Sequence, residues 1–171
     1  MNGKINIVFG FFYFACTALL GPVLLLPGKG AVNEVMKETA AVVEQVRAGE
    51  EEKIAPAVTG IMDYLQASKK AGLVGSAVHA HGNLEALLNI VAGLVLLSLA
   101  IPSNFKALLS ILFLCGAIFH SGMLYLILVF GQGWAGNFMI IGKISIIAAL
   151  VFTGVASVMG IKSGGELREE G

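Results

Sequence analysis

Four long apolar stretches limit what this chain can fold into more than any other feature of its sequence. They cover about residues 5–26, 77–101, 105–130 and 137–161. Each is long enough to cross a hydrocarbon core about 30 Å thick, which takes about 20 helical residues. Hydrophobic residues make up 57% of the chain and charged residues only 13%, unlike an ordinary soluble domain. The sequence therefore predicts an all-α integral membrane four-helix bundle in a lipid bilayer, with residues 1–171 as a single transmembrane domain.

The segment between the first two stretches, residues 28–76, is the one long polar part of the chain. Apolar residues recur at helical spacing on both sides of the acidic run at residues 50–52. Pro22 and Pro27 are expected to end the first helix before this segment begins. The pattern predicts two short amphipathic helices that fold over one mouth of the bundle as a helical extramembrane cap.

The distribution of basic residues predicts the orientation of the chain. Lys4, Lys106, Lys162 and Arg168 fall on one side of a four-span protein, whereas the short loop at residues 131–136 carries no charge. Basic residues in short loops favour the cytoplasmic side. We therefore expect a multi-pass protein of the inner (plasma) membrane, with both termini cytoplasmic and the insertion outside. The formal net charge is zero, which gives no reason to expect a nucleic-acid partner.

Ionisable residues inside apolar stretches are costly and mark candidate functional sites. Counted at about 1.5 Å per residue along each helix, His81, Glu85, His120 and Lys143 reach similar depths near the outer end of the bundle. His81, Glu85 and Asn89 are spaced i, i+4, i+8 and therefore share one face of the second helix. This face is expected to point into the bundle, where the four ionisable residues can meet.

Two histidines on neighbouring transmembrane helices can supply the axial ligands of a b-type haem. We expect His81 and His120 to take this role, with Gly116 leaving room for the porphyrin and Lys143 pairing with a propionate. The chain has no C-x-x-C-H motif, so such a haem would be non-covalent. The interpretation is a membrane cytochrome b that transfers electrons, an oxidoreductase component with a quinol or a redox protein as its partner.

His79 lies two positions from His81, so on a regular helix the two side chains point to different faces. His79 is then either an interfacial residue in contact with water or the ligand of a second haem. The run His-Ala-His-Gly-Asn-Leu at residues 79–84 resembles helices of small membrane proteins related to the catalytic subunits of haem-copper oxidases and nitric oxide reductases. The resemblance is limited to this short run, and it implies histidine-ligated haem at His79 or His81.

Other interpretations use the same residues. His81, Glu85 and His120, with His79 as a further candidate ligand, form an imidazole and carboxylate set suited to copper, zinc or iron in transport or metal-dependent chemistry. In a non-catalytic subunit of a respiratory complex, the polar residues would only hold the helices together, with Glu85 and Lys143 as an interhelical ion pair. Glycine-rich helices also make a homodimer plausible.

Overall fold

The computed structural model describes residues 3–160, without the side chains of residues 24–27 and 76. These residues are helical almost throughout and include no strand. Four helices are long and apolar enough to cross a membrane, which confirms the predicted all-α arrangement of four helices. The described residues end at Gly160, so Lys162 and Arg168 lie outside them. The α-helices are α1 (Lys4–Arg47), α2 (Ile54–Leu73), α3 (Ala80–Ser98), α4 (Ser103–Ala117), α5 (Met123–Leu128) and α6 (Met139–Gly160).

The first helix does not end at Pro22 or Pro27, so that part of the prediction is wrong. Helix α1 is continuous over 44 residues, about 66 Å at the usual helical rise and about twice the thickness of a bilayer core. A proline removes one backbone hydrogen bond, but transmembrane helices tolerate this loss where other groups satisfy the freed carbonyl. The second half of α1 packs along α2. This packing stabilises the continuation of α1 past both prolines.

A helical hairpin therefore replaces the predicted cap of two separate short helices. Its chain reversal uses Gly49, whose φ of 98° lies in the left-handed region that glycine adopts freely. The return helix α2 has small residues on the side that faces α1: Ala57 is buried, and a Cβ atom on Gly60 would lie 2.9 Å from Thr39 Oγ1. Because α2 runs through a helical turn directly into α3, the hairpin is a continuation of the first two helices that are long and apolar enough to cross a membrane.

Inside the bundle, small residues let helices approach closely, as is usual between membrane helices. A Cβ atom on Gly93 of α3 would lie 2.6 Å from the carbonyl oxygen of Gly3, so the start of α1 lies directly against α3. Leu96 and Phe113 fill the apolar core between α3, α4 and α6. Most other large apolar side chains of these helices point outward, as a lipid-facing surface requires.

Two π-helical turns interrupt the long helices. One covers Val74–His79 between α2 and α3, and the other covers Ile118–Gly122 between α4 and α5. A π turn inserts an extra residue into a helix and changes the direction of the side chains that follow, and such turns are frequent at functional sites. The three histidines of the chain all lie within these turns or within two residues of them.

Candidate metal centre

His81, Glu85 and His120 come together at one end of the bundle. We call these three residues the histidine cluster. One ligand atom from each lies within 4.8 Å of the other two. His81 and Glu85 are one turn apart on α3, and His120 belongs to the facing π turn. The sequence predicted that these three residues would meet together with Lys143; the structure brings the three together, while Lys143 is exposed.

Glu85 is the centre of a hydrogen-bond network. Its side chain is almost fully buried, at 4% exposure. The Nδ1 atom of His120 lies 2.5 Å from Glu85 Oε1. The hydroxyl of Ser121 donates to Glu85 Oε2 at 2.5 Å, and the backbone N–H of Ser121 donates to the same oxygen at 3.3 Å. Tyr13 of α1 joins this network because its hydroxyl lies 2.7 Å from Ser121 Oγ. Both oxygens of the buried carboxylate are thus satisfied, as burial demands.

The position of His120 depends on close contact between its π turn and α6. A Cβ atom on Gly142 of α6 would overlap with backbone atoms of Phe119 and His120. Only glycine lets α6 approach this turn so closely. The turn is therefore supported from behind by α6 while the imidazole of His120 points toward Glu85.

The two imidazoles of the histidine cluster each keep a nitrogen that can bind a ligand. With Nδ1 of His120 bound to Glu85, its Nε2 makes no hydrogen bond to any described residue. A carboxylate that holds one nitrogen of a histidine and fixes its tautomer is a common support of metal-binding histidines. His81 is exposed, and its ring contacts that of His120 edge to face, with centroids 5.1 Å apart. The cluster is therefore buried on its Glu85 side and open on its His81 side.

His79 belongs to a different network, which it forms with Thr17 of α1 and Asn83 of α3. Its Nδ1 donates to the carbonyl oxygen of Thr17 at 2.9 Å, and its Nε2 accepts from Asn83 Nδ2 at 3.2 Å. The network closes because Thr17 Oγ1 donates to Asn83 Oδ1 at 2.6 Å. Both ring nitrogens of His79 are therefore used within the protein, which leaves none for a metal or a second haem. Gly21 packs directly on the imidazole and leaves no space for a ligand there.

Two other predicted residues lie apart from the histidine cluster. Lys143 is exposed, and the carboxylate of Glu85 pairs with His120 instead, so the predicted ion pair between Glu85 and Lys143 is absent from residues 3–160. Gly116 is buried against Ile146 of α6, where an added Cβ atom would overlap with the isoleucine side chain. Gly116 thus serves helix packing, and the space beside it is already filled.

In this arrangement the rings of His81 and His120 contact each other edge to face, so a haem between them would require the two rings to separate. Two axial imidazoles must lie on opposite faces of a porphyrin, with metal–nitrogen bonds of about 2 Å on each side. Instead, the two rings are in direct edge-to-face contact at an interplanar angle of 73°. A single small ion is held at bonds of about 2 Å, and one ligand atom from each of the three residues already lies within 4.8 Å of the other two.

A buried hydroxyl without a partner lies close to the cluster. Tyr125 of α5 is 8% exposed, and its hydroxyl makes no hydrogen bond to any described residue. Its ring packs beside Gly82, the residue that follows His81, because a Cβ atom there would lie 3.2 Å from Tyr125 Cε2. Buried hydroxyl groups almost always have a partner. The Tyr125 hydroxyl is therefore an exception among the described residues: it is buried and has no hydrogen-bond partner.

Sequence reasoning did not identify Ser121, Thr17 or Asn83 as parts of these networks. Each is a polar residue within or beside an apolar stretch, and such residues bond across helices in membranes. That signal marks them as interior residues, but it does not say which partners they meet. No protein-family model matches the chain, and comparisons with curated proteins and with solved structures also give no significant match.

Proposed function

We propose that this is a membrane protein that binds one divalent transition-metal ion through its histidine cluster, for metal transport or metal-dependent chemistry. The observation that carries the proposal is the convergence of two imidazoles and one carboxylate from two helices, with Glu85 buried and His81 exposed. Ionisable side chains inside membrane helices are rare and usually functional. Two histidines with one glutamate also form a known ligand set for catalytic zinc.

The three residues take different roles in this proposal. His81 and His120 bind the ion through nitrogens that no described side chain uses. Glu85 holds the ring of His120 and places a negative charge beside the ion. Ser121 and Tyr13 in turn hold Glu85, so the carboxylate does not need to reorganise when an ion arrives.

The open side of the cluster supports a role beyond a purely structural ion. The two imidazole ligands leave coordination positions for water or substrate, and a bound ion would supply Lewis-acid chemistry or act as the transported species. The exposed position of His81 gives an ion a route to the site.

Metal binding to the purified protein tests this proposal. Equilibrium dialysis with Zn²⁺, Cu²⁺ and Fe²⁺ is expected to give one bound ion per chain, and His81→Ala and His120→Ala should each lose it. His79→Gln is the matched control, because this histidine is two residues away and already satisfied. Equal loss in all three variants, or retention in both alanine variants, would contradict the proposal.

An optical spectrum of the same sample separates this proposal from the cytochrome interpretation. Haem b gives a strong Soret band, whereas a bare ion does not. We expect no Soret band in protein purified from haem-replete cells. A band that disappears in His81→Ala and His120→Ala would instead establish the predicted haem, and it would require the two rings to separate from their present edge contact.

We also propose that both termini face the cytoplasm. Lys4 and Lys106 support this orientation, because the start of α1 packs against the end of α3, just before α4 begins. A pair of single cysteines in a Cys16→Ser, Cys115→Ser background tests it. An impermeant maleimide should label Gly133→Cys in intact cells and leave Asn104→Cys unlabelled; the reverse pattern would invert the orientation.

A further inference from the structure

An apolar cavity lies where the helical hairpin meets the membrane bundle. Its volume is about 290 Å³. The walls come from α1, α2, the first π turn and the end of the third membrane helix, and Lys70 is the only charged residue among its described lining. The uncharged lining residues are mostly small: Gly28, Ala31, Ala67, Ala71, Val74 and Val129.

The cavity lies at the level where the apolar stretches end. Gly28 follows the first apolar stretch, Val74 opens the turn that leads into α3, and Val129 follows α5. Three chain segments thus pass from apolar to polar sequence at the walls of one cavity. In a bilayer, this level corresponds to the boundary between acyl chains and headgroups.

Three lysines surround this junction. Lys70 borders the cavity itself, and with Lys69 it also borders a neighbouring groove that Ile127 and Leu128 complete. Lys29 borders a second groove on the α1 side. Within residues 3–160, the only ion pairs are Arg47 with Glu44 and His120 with Glu85. The three ammonium groups therefore have no carboxylate partner in the described part of the chain.

From this geometry we infer that the junction binds an anionic phospholipid. One acyl chain occupies the apolar cavity, and the phosphate lies against Lys69, Lys70 and Lys29. Lysine side chains bury their methylene groups along apolar surfaces while the ammonium stays at the headgroup level. Basic pockets between membrane helices bind anionic headgroups for the same electrostatic reason. A zwitterionic lipid such as phosphatidylcholine would fill the cavity equally well, but its choline cation would oppose the attraction between its phosphate and the three ammonium groups.

Native mass spectrometry of the full-length protein tests the inference. Delipidated protein in detergent is titrated with phosphatidylglycerol or with phosphatidylcholine of the same acyl chains. We expect tighter binding of the anionic lipid, and a loss of roughly fivefold for each lysine removed in Lys69→Gln with Lys70→Gln. The matched control is Lys37→Gln with Lys53→Gln, because these hairpin lysines do not border the cavity. The control should bind as the unchanged protein does.

Two further arms separate the acyl chain from the phosphate. Ala71→Leu fills the cavity without changing any charge, and it should weaken binding of both lipids. Inorganic phosphate should not compete with the lipid, because it has no acyl chain to bind in the apolar cavity. Equal affinity for both lipids, equal loss in the two lysine pairs, or full competition by phosphate would each overturn the inference. None of these measurements involves the histidine cluster.

Discussion

Two polar clusters lie one turn apart on α3. They differ in charge, in whether all their hydrogen bonds are made within the protein, and in exposure. The histidine cluster contains ionisable groups and opens at the exposed His81. The asparagine cluster consists of Asn6, Asn89 and Ser110, which are 0%, 1% and 0% exposed and carry no charge. The two are joined by one hydrogen bond, from Asn89 Nδ2 to the backbone carbonyl of Glu85 at 3.0 Å.

The asparagine cluster is closed within the protein. Asn6 Nδ2 donates to Asn89 Oδ1 at 3.0 Å and to the carbonyl oxygen of Ser110 at 3.1 Å. The hydroxyl of Ser110 donates back to Asn6 Oδ1, and Asn89 Nδ2 also reaches the carbonyl oxygen of Phe113. This network connects α1, α3 and α4 and needs nothing from outside. The comparison shows two roles for polar side chains inside this bundle. The neutral asparagine cluster holds helices together, whereas the histidine cluster, with ionisable groups and one exposed side, is available to a ligand.

The largest expected difference between the clusters is their response to acid. A metal ion binds only unprotonated imidazole nitrogen, so protons compete with it, and affinity falls as the pH falls. Where one proton is taken up for each ion released, we expect Zn²⁺ affinity to drop by about tenfold for each unit by which the pH is lowered. Equilibrium dialysis across a pH series measures this. The neutral asparagine cluster has nothing to titrate, so Asn89→Leu should show the same pH profile; a pH-independent affinity would argue against imidazole ligands.

Glu85→Gln tests whether the charge of the histidine cluster matters. The substitution keeps the size of the side chain and its hydrogen bond to Ser121 but removes the negative charge beside His120. We expect metal affinity to fall by about 10–100-fold, as is usual when the group that supports a metal-binding histidine is changed. Helical content, measured by circular dichroism, should remain. Unchanged affinity would show that Glu85 is only a structural partner of His120.

Asn89→Leu should have the opposite effect to Glu85→Gln: it should lower stability and leave metal affinity almost unchanged. The leucine cannot accept from Asn6 or donate to the carbonyls of Glu85 and Phe113, so buried polar groups lose partners. The free energy of unfolding should fall by about 1–3 kcal/mol. Denaturation in mixed detergent measures it, and Zn²⁺ affinity measured alongside should stay within a few-fold of its original value. A large loss of metal affinity would mean that the two clusters act as one unit.

The sequence predicted the parts of this architecture that depend on repeating pattern. Apolar length identified four membrane helices, and the i, i+4, i+8 spacing correctly placed Glu85 and Asn89 on the buried face of α3. His81 lies on the same stripe but at its end, where it is exposed. These features follow from helical geometry alone, so one sequence is enough to find them.

Other features depend on contacts between distant segments and were not predictable in this way. His79 Nδ1 donates to the backbone carbonyl of Thr17. Every residue has such a carbonyl, so the sequence does not indicate which one His79 contacts. The π turns carry no proline or other obvious signal. Continuation of α1 past its prolines depends on packing against α2. Each depends on which helices are neighbours, information that periodicity does not contain.

Two matched serine substitutions make the finest test of the comparison. Ser121→Ala removes the hydroxyl that donates to Glu85 and that is also hydrogen-bonded to the Tyr13 hydroxyl. Ser110→Ala removes the hydroxyl that donates to Asn6. A hydrogen bond contributes about 1 kcal/mol net, which corresponds to roughly fivefold in an equilibrium constant. Ser121→Ala should therefore weaken Zn²⁺ binding by about that factor, because Glu85 loses one of its supports. Ser110→Ala should lower the free energy of unfolding by a similar amount and leave Zn²⁺ binding unchanged. If both serines affect metal binding equally, the hydrogen bond between Asn89 and Glu85 transmits disturbance from one cluster to the other.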